Sequence, residues 1–83
     1  MFRKLLQTGQ VDVEGRVYTV HYFESKTARG GRRFSGEVVL DGGDRIILDD
    51  DSLTSLEAKV DRLAPATIYS RALAARAAAS VAA

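Results

Sequence analysis

His21 is the only histidine of the chain, and there is no cysteine. Imidazole chemistry therefore has one place to occur, and thiolate or disulfide chemistry has none. A catalytic histidine needs a nucleophile or an orienting carboxylate within reach. Asp12 and Glu24 are the nearest acids along the hairpin, and no spacing rule places either beside His21. The residue reads as a histidine on the surface of a strand.

Five aspartates fall close together: Asp41, Asp44, Asp49, Asp50 and Asp51. Hard cations bind several oxygen ligands. The alternating Asp/Asn pattern of a calcium loop, with its central Gly and closing Glu, is missing here. Consecutive aspartates in a strand point to opposite faces and do not converge. Turn chemistry and the positive end of a following helix account for all five. No metal, cofactor or catalytic residue is assigned on this basis.

Lys26, Arg29, Arg32 and Arg33 surround Gly30-Gly31. A glycine-rich basic loop can follow a phosphate backbone, with Tyr18, Tyr22 or Phe34 stacking on bases beside it. It is not a strand–loop–helix phosphate motif, because Gly-Lys-Ser/Thr is missing and a strand follows. The plainer reading is a solvated hairpin loop whose charges keep the sheet soluble. Near the end of the chain, Ala72, Ala75 and Ala79 lie at helical spacing. Their small side chains would let a second helix approach closely, and the competing reading is a frayed terminus.

These residues must be positioned by a small domain. With 83 residues the chain has room for one core, and a domain of that size gains margin from a partner. No apolar run approaches the about 20 residues of a membrane helix. The start of the chain lacks the apolar core of a secretory signal. The expectation is a cytoplasmic protein without a membrane anchor. Nine Arg against three Lys, with abundant Ala, fits a GC-rich bacterial genome. Net charge is +1 but uneven. Residues 1–36 hold seven basic groups against three acidic, and residues 37–63 hold three against eight. These two segments can attract each other within one fold or in a head-to-tail dimer.

Hydrophobic patterning predicts an antiparallel β-meander over 8–48. It comprises about four strands in two hairpins, followed by one or two C-terminal helices, an α+β fold. In the first hairpin Glu14-Gly15 is the turn, and a two-residue loop pairs Val13 with Arg16 and Val11 with Tyr18. Val11, Val13, Tyr18, Val20 and Tyr22 then share a face, while His21 and Thr19 share the other with Val17 and Phe23. Residues 25–33 read as a long irregular connection. The second hairpin turns at Asp41-Gly42-Gly43-Asp44. Phe34, Val38, Leu40 and Ile47 are expected on one face, with Val39, Ile46 and Leu48 on the other. A helix over 52–63, capped by Ser52, Asp51 or a Thr54–Glu57 capping box, carries Leu53, Leu56, Val60 and Leu63. Pro65 is expected to break it and to open a second helix over 65–76, with 77–83 frayed.

The order of elements resembles the small HicB-type antitoxins, with a meander followed by a helix. Asp51-Ser52-Leu53-Thr54-Ser55-Leu56-Glu57-Ala58 is similar to their polar cap and helix start. The Pro-Gly-Cys stretch that precedes the helix in that family is absent, and no site residue is carried over. The sequence points to a non-enzymatic interaction or structural module that self-associates as a homodimer or binds a protein partner. Its alternative is weak binding of RNA or single-stranded DNA through the 26–33 loop and one sheet face.

Overall fold

The computed structural model describes residues 3–82, with side chains described to residue 78. Four antiparallel strands form one sheet in chain order: β1 (Arg3–Val13), β2 (Arg16–Lys26), β3 (Arg32–Val39) and β4 (Arg45–Asp50). A single helix, α1 (Leu53–Ala82), follows and packs on one face of the sheet. The α+β meander is therefore the observed architecture.

The first hairpin has the expected register, with Val13 opposite Arg16 and Val11 opposite Tyr18. Glu14 and Gly15 both take positive φ, 53° and 81°, as a type I′ turn requires. Asp12 supports the turn by accepting the Gly15 N–H at 3.1 Å on Oδ1. The strand begins at Arg3, five residues before the expected start at Thr8. Leu6 is an extra residue between the pairs Leu5–Phe23 and Gln7–Tyr22. That bulge breaks the period-two alternation by which a strand is recognised.

The second hairpin corrects the sequence reading. The residues between Leu40 and Asp44 form a three-residue turn, closed by the Leu40 N–H on the Asp44 carbonyl at 2.9 Å. Val38 therefore lies opposite Ile46, not Ile47. A slip of one residue exchanges the faces. Ile46 is 4% exposed under the helix, and Ile47 is 60% exposed on the far face. The 25–33 connection is also shorter than expected, because β2 continues to Lys26 and β3 starts at Arg32. Thr27 organises the remaining five residues. Its carbonyl accepts the Gly30 N–H at 3.0 Å, and its hydroxyl accepts the Gly31 N–H at 3.0 Å.

The core lies between the sheet and the first half of α1. Val11, Val20, Tyr22, Val38 and Ile46 meet Leu56, Val60, Ala64 and Ile68. The helix lies directly over Gly36, where a Cβ would meet Val60 Cγ2 at 3.4 Å and the Tyr22 ring at 3.5 Å, ordinary contact distances. Ser52 is the helix cap, its Oγ accepting the Ser55 N–H at 3.2 Å. The expected break at Pro65 does not occur, because α1 runs through it to Ala82. Ala64 and Ile68 are buried on the same stripe, one turn apart. Burial of both keeps the chain helical against the local preference of proline. Leu63, expected in the stripe, is instead exposed at its border.

Candidate functional site

Three surfaces gather the residues that the sequence singles out. The first is the sheet face that α1 leaves uncovered. The register places Arg3, Leu5, Thr8, His21, Phe23, Glu37, Arg45 and Ile47 there. Glu37 is buried at its centre, 7% exposed. Arg3 reaches it from one side, Nη2 to Oε1 at 2.6 Å, and Arg45 from the other, Nη1 to Oε2 at 3.4 Å. The Arg3 guanidinium also lies over the Phe23 ring, 3.7 Å from its centroid. His21 is opposite Glu37 in the ladder, and its Nδ1 is 3.4 Å from Thr8 Oγ1. Glu37 has no signal in the sequence, since its partners lie 34 and 8 residues away.

The second surface is the basic end of the sheet. Arg32 pairs with Glu24 at 3.1 Å, and Arg33 is held between Asp49 and Asp51. The pairing raises the Arg33 pKa, chiefly through the hydrogen bond that its guanidinium donates to Asp49. Lys4, Lys26 and Arg32 border one shallow depression with Glu24 and Ser25. Arg29 is exposed in the loop. The aromatic rings expected to stack on bases do not face outward here. Tyr22 is buried under α1, and Tyr18 and Phe34 pack against the core. Burial raises the Tyr22 pKa, helped by the charges of Glu57 and Asp61.

The aspartates separate into ion pairs. Asp41 meets Arg16 at 2.5 Å, Asp44 meets Arg71 at 2.5 Å, and Asp50 meets Lys59 at 3.4 Å. Among the described residues no three His, Asp or Glu side chains group as metal ligands. Arg71, followed by the Arg45 N–H, holds the Asp44 carboxyl below its usual range. The Asp51 N–H, followed by Lys59, does the same for Asp50. Arg3–Glu37, Arg16–Asp41 and the Arg33 pairs join the basic first segment to the acidic second within one chain.

The third surface is the outer half of α1. Its 30 residues span about 45 Å, in a molecule of 51 × 25 × 16 Å. Among the described residues Ile68 is the last buried one of the stripe, and the turns that follow it flank the hairpin ends of the sheet, where Arg71 reaches Asp44 and the Arg45 carbonyl. Tyr69 and Leu73 are 52% and 45% exposed. They line a groove with Val13, Tyr18, Ile68 and Arg76, between the β1–β2 turn and the helix. Ala72 and Ala75 are exposed beside it, while the Ala79 side chain lies outside the described residues. The backbone of α1 is helical to Ala82.

Comparison with protein-family models, curated proteins and solved structures finds nothing that matches the chain. No helix among the described residues is long and apolar enough to cross a membrane.

Proposed function

We propose that this chain is a non-enzymatic interaction module that self-associates. The observation that carries the reading is the length of α1. The first half of the helix covers the core, and the turns after Ile68 run beside the hairpin ends of the sheet with Tyr69 and Leu73 exposed near the small residues Ala72 and Ala75. A helix with exposed apolar side chains on a domain of this size favours association. Sedimentation equilibrium over a wide concentration range tests it. A shift from monomer to dimer with rising concentration is expected, and a monomer throughout overturns the reading.

A second reading, weak binding of single-stranded nucleic acid, is favoured by Lys4, Lys26 and Arg32 around one depression with Arg29 nearby. Its signature is affinity for single-stranded RNA that falls steeply with salt and weakens when Arg29, Arg32 and Arg33 become Ala. Absence of binding at low salt ends it.

A further inference from the structure

We infer that the free edge of β1 is an assembly edge, occupied by β1 of a second copy running antiparallel to it. The inference rests on the self-association reading and names a surface for it. The two edges of the sheet are treated differently by the rest of the molecule.

At the β4 edge, hairpin closure at Leu40–Asp44 turns the backbone groups of Arg45, Ile47 and Asp49 away from β3. The helix caps two of them. Lys59 Nζ donates to the Asp49 carbonyl at 2.7 Å, and Arg71 Nη1 donates to the Arg45 carbonyl at 3.3 Å. The strand has six residues, of which Arg45, Asp49 and Asp50 are charged. Short, charged and covered strands are how sheets protect an edge.

At the other edge, β1 has eleven residues. Closure at Val13–Arg16 turns the backbone groups of Thr8, Gln10 and Asp12 outward. Among the described residues no side chain hydrogen-bonds to these groups. The run Gln7–Val13 follows the bulge at Leu6 and carries one charge, Asp12.

Charge selects the occupant. Arg3 and Lys4 stand at one end of β1, and Asp12 and Glu14 stand at the other. An antiparallel copy centred near Thr8 sets each basic end against the other's acidic end, and the two-fold axis repeats the match. Arg3 and Asp12 share the uncovered face, as their partners Ser25 and Val17 do, and the Arg3 side chain, which already holds Glu37, is still half-exposed toward the edge. The product is a continuous sheet of twice the four strands, with both helices on one face.

The test uses the full chain and four variants. Gln10→Pro removes an outward N–H that the hairpin does not use, and proline is tolerated on edge strands. The dimer dissociation constant is expected to rise about tenfold or more, with the circular dichroism spectrum unchanged. Thr8→Cys introduces the only thiol into a chain without cysteine. Facing Cα atoms in a hydrogen-bonded pair lie about 5.5 Å apart, within disulfide range. Mild oxidation should link two copies, whereas Thr19→Cys in the central strand should not. A dimer that Gln10→Pro leaves unweakened and Thr8→Cys does not link overturns the edge pairing. If Leu73→Glu dissolves that dimer, self-association through the helix stands without it. A wild-type monomer at all concentrations overturns both. If Gln10→Pro does not fold, the Thr8→Cys cross-link decides.

Discussion

Glu37 lies on a face with no helix over it, yet it is among the most enclosed polar residues described. Two arginines from opposite edges of the sheet make the enclosure, one from each outer strand. Their own side chains are 47% and 57% exposed, so solvent screens much of the attraction. Glu37→Gln keeps the shape and removes the charge. The expected loss in urea denaturation is about 1 kcal/mol, and a change within error would mean the pairs contribute nothing net. Asp44 gives a second test at this scale. Its folded pKa is depressed, chiefly by Arg71. The stabilisation is thus complete above the unfolded carboxyl pKa and lost as pH falls through the folded value. In Arg71→Met the Asp44 pKa followed by NMR should rise toward its ordinary value, and the acid-side loss of stability should flatten. None of these pairs was visible in the sequence, because each joins residues set far apart by the hairpins. The Glu14-Gly15 turn was visible, because its geometry is a matter of two adjacent residues.

Local signals fared unevenly among the elements. Alternation and turn chemistry were enough for β1 and β2 to be paired correctly, whereas the glycine pair at 42–43 suggested a loop one residue too short. The slip exchanged Ile46 and Ile47 and would have placed the wrong isoleucine in the core. Pro65 carried the opposite lesson. Its local preference for a break was real, but it was outweighed by burial of Ala64 and Ile68. A proline in a helix interior still removes one N–H and crowds the carbonyl four residues before it. Pro65→Ala should therefore raise the unfolding free energy by about 1–3 kcal/mol in urea denaturation. No gain, or a loss, would show that the proline's half-buried ring supplies packing of equal weight.

On the scale of the whole molecule, the opposed charge segments find each other inside one chain, through Arg3, Arg16 and Arg33 on one side and Glu37, Asp41, Asp49 and Asp51 on the other. The charges of the two segments are thus largely matched within one chain, with Lys4, Asp12 and Glu14 in none of these ion pairs. The exposed apolar side chains of α1 and the open edge of β1 are the surfaces on which the proposed association rests. The candidate surfaces were only partly legible beforehand. The small residues of the helix stand out in the sequence, but an edge is defined by what does not lie beside a strand, and that follows from topology alone.

The capping of β4 has a consequence for how far such an assembly grows. A sheet open at both sides is a monomer unit in the polymer sense and adds copies without limit. Here Lys59 and Arg71 act as a chain terminator on one side, so pairing through β1 consumes every reactive end after a single step. Replacing both by Met should restore growth, giving species larger than a dimer in sedimentation velocity and dye-binding fibres on standing. A double variant that stops at the same size as the wild type would show that termination lies elsewhere. If growth is restored, two cationic side chains on one helix separate a protein of defined stoichiometry from a fibre.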